Sequence, residues 1–589
     1  MIDFEIKEKR WVLKSPVDFR LVESLSSELN ISKTLSTILL QRGIKSYDDA
    51  KSFFRPSIDD LHDPFLMKDM DKAIERLNKA IKNKEKILIY GDYDVDGTTS
   101  VALTYSFLKT YYDNIDFYLP DREKEGYGIS TAGIDFAAEN NFKLIVALDC
   151  GIKSIDKVAY AKKKGIDFII CDHHRPGSEL PAAVAVLDPK RADDKYPFDE
   201  LSGCGVGFKL ITAYAIRNKI PFSVVEQYLD LVAISIAADI VPLVGENRIL
   251  AFYGLKLLNS SPRHGIKAIL EMENVPKFYD ESPEGIRSNP HYGLSISDLV
   301  FIIGPRINAA GRIHDARHAV DLLISENKTE ATSNSIRIKE HNDERRNLDV
   351  RITSEAMLQV QNDKDFSKRK STVLFNPEWH KGVIGIVASR LIDKFYKPTI
   401  VLTESNGMAT GSARSVKDFD IYNAIESCKD LLDQYGGHMY AAGLTMKLEN
   451  VSKFIERFEN VVAETIEERM LTQEIELDAV LSLDEVTPSL FKILKQFAPF
   501  GPGNMNPIFL TENVRDTGQS RIVGTNHLRL NIADDEYTRF GFDGIGFQLA
   551  HFYSLISRKI PFDVCYSLEE NNYNGKTSIQ MNVKDLHLK

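Results

Sequence analysis

Asp92, Asp94 and Asp96 stand two residues apart in Gly91-Asp92-Tyr93-Asp94-Val95-Asp96-Gly97. Carboxylates held this close repel one another and raise one another's pKa unless positive charge sits among them. A divalent cation meets that need, and all-oxygen ligands suit a hard ion such as Mg2+ or Mn2+. A solvated turn would use the same residues, because Asp is favoured in turns. Two further stretches carry ligand chemistry of the same kind: Asp149, before Cys150-Gly151, and Asp172-His173-His174. Imidazole adds a borderline nitrogen donor, which moves the expected ion from Mg2+ toward Mn2+.

The elements that must position these residues read as parallel βα units. Lys86 to Tyr90, Lys143 to Leu148 and Asp167 to Cys171 are short apolar runs, each ending at one of the acidic stretches. Helix-patterned segments separate them: Val101 to Tyr111, Thr131 to Asn140 and Ser154 to Lys164. Such alternation predicts a parallel sheet. Its strands all end on one edge, where open α/β sheets bind ligands. The Asp cluster, Asp149 and Asp172-His173-His174 should therefore converge. Asp188 also ends an apolar run, Ala183 to Leu187, but Pro189 follows and makes it a turn residue.

At 589 residues the chain has room for about four domains, and its 43% hydrophobic content is enough for real cores. No run approaches the ~20 apolar residues of a membrane span, and Met1-Ile2-Asp3-Phe4-Glu5 lacks a signal-peptide pattern. Cys150, Cys171, Cys204, Cys428 and Cys565 are scattered and odd in number. They read as reduced thiols of a cytoplasmic protein, with a packing role for Cys150 and Cys171. A net charge of −11 argues against a broad basic footprint. It is compatible with a narrow groove lined by Arg and Lys, since the local field decides.

Asp92 to Gly97, the lone Asp149 and Asp172-His173-His174 resemble the successive motifs of the DHH phosphoesterase superfamily. Asp239, in Ile236-Ala237-Ala238-Asp239-Ile240-Val241-Pro242, supplies the Asp closing a helix that the superfamily places fourth. Other blocks narrow the resemblance: Gly304 to Arg312, Gly411-Ser412-Ala413-Arg414-Ser415, and Gly436-Gly437-His438 with Ala441-Ala442-Gly443. With Arg42-Gly43-Ile44 and Pro499 to Asn504 they resemble the RecJ family, bacterial exonucleases that degrade single-stranded DNA 5′→3′. The implied architecture is α/β: a helical lead-in (1–70), a parallel-sheet DHH domain (71–326), a connecting helix (327–366), a second α/β domain of DHHA1 type (367–468) and an OB-like β-barrel (469–589). From its polar composition the connecting segment reads as a solvated helix. The C-terminal part reads equally as a strand-binding or a purely structural β-domain.

The resemblance also implies roles. One metal would take Asp92, Asp94 and Asp149, and a second Asp96, Asp149, His173 and Asp239. Asp149 would bridge them, Asp96 and Asp149 would serve catalysis, and His174 would contact the scissile phosphate or assist proton transfer. Mn2+ is preferred, with Mg2+ possible. On the substrate side, Arg122 follows the strand-like run Ile115 to Leu119, and Arg306 and Arg312 flank an apparent Asn308-Ala-Ala-Gly turn. Arg grips phosphate bidentately. Arg414, Ser412, Asn308 and His438 complete this set, with His380 a weaker candidate. Tyr127 either stacks on a base or packs a turn. The Gly-rich stretch Gly203 to Gly207 either cradles phosphate or allows tight helix packing. The expected partner is single-stranded DNA, with single-strand-binding protein and a helicase as further partners, no membrane, and a monomeric state in DNA repair and recombination. The alternative is a DHH–DHHA1 phosphodiesterase for short oligoribonucleotides or cyclic dinucleotides. A binding module with a dead site would require lost ligands, and a pyrophosphatase would be shorter.

Overall fold

Five short apolar runs form a parallel sheet. The computed structural model describes residues 8–273, 293–534, 541–558, 560–573 and 576–588; the Met1–Glu5 opening lies outside them. In chain order the sheet region runs β1 (Lys86–Gly91), α1 (Val95–Lys109), β2 (Ile115–Tyr118), α2 (Thr131–Glu139), β3 (Phe142–Leu148), α3 (Ile155–Lys163), β4 (Asp167–Cys171) and β5 (Ala185–Leu187). The strand order is β2-β1-β3-β4-β5, and every pairing is parallel. Side chains alternate between two cores. Ile87, Ile89, Leu144 and Val146 join one, while Leu88, Tyr90, Ile145 and Ala147 join the other. Strands covered on both faces read as unbroken apolar runs, which is why alternation is absent from the sequence. The chain passes to opposite sides of β1, so the crevice beyond the ends of β1 and β3 is the topological switch point.

Helices α4 (Gly203–Arg217), α5 (Leu229–Ala238) and α6 (Gly304–Ile313) are those of this part that reach the site. The apparent Asn-Ala-Ala-Gly turn is the body of α6, because Ala309 and Ala310 favour helix and are fully buried there. The helix α7 (Lys328–Asn362) follows. It is polar yet not merely solvated: Ile338, His341, Asn342, Asp349 and Ile352 are buried. Asp349 accepts hydrogen bonds from Arg390 Nε at 2.8 Å and Nη2 at 2.6 Å. Composition alone hides this, since a polar residue such as Asp349 is buried only because Arg390 pairs with it. The second α/β layer comprises β6 (Thr372–Phe375), α8 (Ile384–Phe395), β7 (Thr399–Ser405), β8 (Met408–Arg414), β9 (Gln434–His438) and β10 (Ala441–Lys447). Its sheet order is β9-β10-β8-β7-β6, parallel only between β6 and β7.

Among the described residues, Ile58–Leu471 form one compact unit, and a second unit comprises the residues before Ile58 together with those from Thr472 onward. Most of the lead-in thus belongs to the C-terminal part. Strand Arg10–Leu13 pairs in parallel with Glu474–Leu477. Val22, Leu25, Leu35 and Ile38 of the early helices share a core with Phe497, Phe509 and Phe562. In this unit Phe509–Asp516 pairs with both Phe562–Tyr573 and His527–Ala533. Lys576–Leu588 and Phe542–Gly546 close the ring, giving a five-stranded barrel. The distant motifs at Arg42 and Asn504 meet here: Arg42 hydrogen-bonds Asn504 and the Met505 carbonyl and lies 4.9 Å over the Phe497 ring. Among the described residues no helix is long and apolar enough to cross a membrane.

Candidate metal centre and phosphate grip

The acidic residues follow the strand ends. Asp94 caps α1, its Oδ1 accepting the Gly97 N–H at 3.0 Å. A side chain at Gly97 would put Cβ 2.3 Å from the Asp92 carbonyl oxygen, so this tight turn requires glycine. Asp96 is buried and accepts from the N–H groups of Gly203 and Cys204 and from Ser235 Oγ, each at 2.7 Å. The Gly-rich start of α4 therefore does receive an anion, and that anion is Asp96. Asp149 ends β3 with φ 58°, the left-handed region that few non-glycine residues occupy. Such backbone outliers persist where the surroundings over-determine them, often at functional sites. Gly203 packs directly on it, since a Cβ there would lie 2.7 Å from Asp149 Oδ1. From the end of β4, His173 Nε2 lies 3.3 Å from Asp149 Oδ1, 3.6 Å from Asp239 Oδ2 and 3.7 Å from Asp96 Oδ2. Asp239 is the C-cap of α5.

This wall is electrostatically unbalanced. Burial, then Asp94, pushes the Asp92 carboxyl well up; burial, then Asp96 and the other acids, does the same to Asp149. Asp94 is raised by burial and Asp96. Asp239 is pushed up to about 8 by desolvation and then by Asp96 and Asp94, although 31% of its side-chain surface stays open. Burial lowers His173, which favours the neutral, ligating imidazole. Asp149 Oδ1 and both ring nitrogens of His173 are buried without a hydrogen-bond partner. Buried polar atoms are normally satisfied. Two donor sets are close enough to share an ion: Asp96, His173 and Asp239, and Asp149, His173 and His174. Oxygen and imidazole donors carrying uncompensated negative charge fit a divalent cation.

His174 is held differently. Its Nδ1 lies 2.7 Å from Asp172 Oδ1. Asp172 also accepts from the backbone N–H groups of Ile152 at 2.9 Å, His173 at 2.8 Å and His174 at 3.1 Å. Burial alone would raise Asp172, but the bond and charge of His174 bring it to about 2. Burial alone would lower His174, but Asp172 brings it up to about 9. The other ring nitrogen, Nε2, sits 3.1 Å from the Tyr127 hydroxyl. Tyr127 is 57% exposed and meets Tyr93 edge-on.

A second wall carries the opposite sign. Arg122 lies 5.2 Å over the Tyr93 ring. Arg312 Nη1 donates to the Gly382 carbonyl at 3.3 Å. Arg414 Nη1 donates to Ser412 Oγ at 3.2 Å and to the Ala413 carbonyl at 2.7 Å. Burial, then Arg122 and Arg414, lowers Arg312 to about 9. Burial, then Arg122, lowers Arg414. These three guanidiniums thus share one field. His438 ends β9 with much of its surface exposed; partial desolvation of its ring, then the charge of His174, lowers it. His380 Nδ1 accepts the Gly382 N–H at 3.0 Å, and its Nε2 is 3.7 Å from Glu123. Arg306, expected to clamp phosphate beside Arg312, instead pairs with Glu273 and the Ile302 carbonyl. Six residues along a helix separate the two side chains by about 120°, so α6 presents them on different faces. Asn308 lies half-buried between them.

The sequence matches three family models: DHH family, N-terminal domain, over residues 86–236; DHHA1 domain over 369–464; and RecJ OB domain over 477–585. The single-stranded-DNA-specific exonuclease RecJ of Bacillus subtilis is 35% identical over 98% of this chain and 70% of its own length. The chain belongs to the RecJ family. The crystal structure of RecJ in complex with Mn2+ from Thermus thermophilus superposes with a TM-score of 0.82 at 26% identity, covering 98% of this chain and 80% of that one. The Mg2+ complex of the same RecJ gives 0.76 at 25% identity over 98% and 78%.

For this RecJ-family chain, sequence reading omitted three contributions. Asp172 orients His174, which its place in the Asp-His-His motif signals. Ser235 fixes Asp96 from α5, 139 positions away, and nothing local announces it. The hydroxyl of Tyr127 reaches His174 rather than only a base or a turn. All five cysteines are buried and free, as small apolar packing groups would be.

Proposed function

We propose that the chain is a metal-dependent exonuclease degrading single-stranded DNA from the 5′ end, in DNA repair and recombination. One observation carries this reading: within a single compact unit, an acid–imidazole wall at the sheet edge stands with a cationic group of Arg122, Arg312 and Arg414, linked by the Asp94–Arg312 attraction. Asp92, Asp94 and Asp149 would hold one divalent ion, and Asp96, Asp149, His173 and Asp239 the other, with Mn2+ preferred and Mg2+ possible. Bound there, the ions neutralise the carboxylates, activate water and stabilise charge on phosphoryl oxygens.

The remaining work falls to side chains. Ser412, Arg414 and Arg122 bind the terminal phosphate and orient the first internal phosphodiester toward the acidic edge. Positioning of that kind is itself a large part of catalysis. His174, fixed through Nδ1 by Asp172, presents its Nε2 to a phosphate or leaving-group oxygen. His438 approaches from the opposite domain. A slot at a sheet edge faced by a second lobe suits one strand and excludes a duplex. A monomeric cytoplasmic enzyme, served by a helicase and single-strand-binding protein, belongs to the same reading.

The test is digestion of end-labelled single-stranded DNA, blunt duplex DNA and short RNA with Mn2+ and then with chelator. Single strands should be degraded only with metal, blunt duplex should resist, and salt should weaken binding steeply through counterion release. Preferred attack on short RNA would favour the oligoribonucleotide phosphodiesterase, and comparable cleavage of blunt duplex would sink the slot.

A further inference from the structure

The loop joining β6 to α8, with the first turn of α8, packs against Arg312, Arg414 and the neighbour of Arg122. Its Gly382 carbonyl accepts from Arg312, and a Cβ on Gly382 would lie 2.1 Å from the Arg312 carbonyl oxygen. A Cβ on Gly385 would lie 2.8 Å from Ser412 Oγ and 3.2 Å from Arg414 Nη2. His380 reaches Glu123, the neighbour of Arg122. Between these fixed points stands Lys381, half-buried. Among the described residues its ammonium has no ion pair or hydrogen bond, and Glu123 is turned to His380 instead. Burial, then the charge of Arg122, lowers its pKa. Glu123 attracts it only from a distance, without an ion pair, so a half-buried cation beside Arg122 gains from the arrival of an anion.

We propose that Lys381 is a phosphate-binding residue, the fourth cation with Arg122, Arg312 and Arg414 around a 5′-terminal phosphomonoester. This rests on the exonuclease reading and deepens it by naming what sets end preference. A terminal phosphomonoester carries nearly two negative charges at neutral pH, because its second pKa is about 6. An internal diester carries one. The surplus cation therefore matches the terminal group and not an internal link. An ammonium is a compact point charge with three rotatable donors, suited to the oxygen that bidentate guanidiniums leave free.

The experiment uses the full chain with Mn2+ and oligothymidylates bearing either a 5′-phosphate or a 5′-hydroxyl. Lys381→Gln should lower kcat/KM on the phosphorylated strand about tenfold, mainly through KM, as for loss of one charged hydrogen bond. The loss on the hydroxyl strand should be several-fold smaller. The dependence of log KM on log salt should flatten by about 0.7 on the phosphorylated strand, and Lys381→Arg should restore most of the preference. Melting temperature should hold or rise in Lys381→Gln, since a like charge leaves the wall. Equal losses on both strands, an unchanged ratio, or a lower melting temperature with equal losses would overturn the assignment. If the unaltered chain does not degrade single strands, the exonuclease reading fails. If it does, and Arg414→Ala collapses the preference while Lys381→Gln leaves it intact, only the role of Lys381 fails.

Discussion

The acidic edge and the cationic wall are built on the same principle with opposite signs, yet they were assembled by different means. At the edge, β1, β3 and β4 end side by side, and Asp92, Asp149 and His173 follow from strand register. The guanidiniums come instead from a loop after β2, the end of α6 and the last residue of β8. In both places burial and like-charged neighbours move the pKa values against ionisation: up for Asp92, Asp149 and Asp239, down for Arg312 and Arg414. Neither wall is explained by stability. On the proposed reading each would be completed by a ligand of the other sign, a divalent ion on one side and a phosphate on the other. That difference gives the first two predictions.

The largest effect should come from Asp149→Asn. Asn tolerates the left-handed backbone at φ 58° that Ala would strain, so the change removes charge and little else. Altering groups that merely support metal ligands costs 10–100-fold; loss of the shared ligand should cost more than about 10²-fold in turnover. The melting-temperature gain on adding Mn2+ should shrink sharply, while the metal-free protein melts no lower, one repulsive charge having gone. Near-normal activity would dismantle the acidic half of the comparison. Arg414→Ala should act on the other half. A charged hydrogen bond contributes about 1.5–3 kcal/mol, so cleavage of a 5′-phosphorylated strand should fall roughly 10- to 100-fold, with Mn2+ binding unchanged. The difference between phosphorylated and hydroxyl 5′ ends should narrow. Release of nucleotides from the 3′ end would overturn the polarity itself.

The two walls also differ in how far they can be read from sequence. Asp92, Asp94 and Asp96 announce themselves by spacing, and Asp149 and His173 by following apolar runs. A parallel sheet then guarantees one common edge, whatever the tertiary detail. The same rule reaches Arg122, which follows the run Ile115 to Leu119, but nothing of the kind joins it to Arg312 and Arg414, which lie on unlike elements; their grouping was accessible only through motif resemblance. That route also carried Arg306, which α6 turns toward Glu273. Long-range pairing was opaque for the same reason. The early helices show where their apolar faces lie, but not that Phe497 and Phe562 cover them, and Arg10–Leu13 has no local sign of its partner at Glu474–Leu477.

A smaller effect should separate shape from chemistry within the acidic half. Tyr127→Phe keeps the ring against Tyr93 and deletes the hydroxyl that meets His174 Nε2 at 3.1 Å. A single hydrogen bond contributes about 1 kcal/mol, so kcat should change by about fivefold with Mn2+ affinity intact. If only KM moves, the ring serves a base and the hydroxyl is incidental.

The connecting helix supplies a third case, in which like groups settle their conflict without a ligand. His341, buried on α7, packs at a tilt against His314 and His318, with ring centroids 4.3 Å and 5.2 Å away. Glu344 bonds His314 at 3.0 Å, and Arg337, Asp315 and Asp321 add their charges around the group. Burial, then His314 and His318, lowers His341 to about 4, and burial, then Arg337, lowers His318 in the same sense. His341 and His318 are thus held toward the neutral form, so their rings pack with no ligand between them. The sign of the pH dependence follows. In the unfolded chain His341 takes up a proton near pH 6.5, whereas in the folded chain it does so only near 4. Between those values the unfolded state binds more protons, so stability falls as pH falls from about 6.5 toward 4. One such group can contribute at most about 1.4 kcal/mol per pH unit. His341→Leu should therefore flatten the acid-side loss. Urea unfolding at pH 7.5, 6 and 5 should show the variant gaining on the unaltered chain as pH drops. Parallel stability curves would mean that His341 is no more shielded from protons than a surface histidine, and that this cluster does not resolve its repulsion by staying neutral.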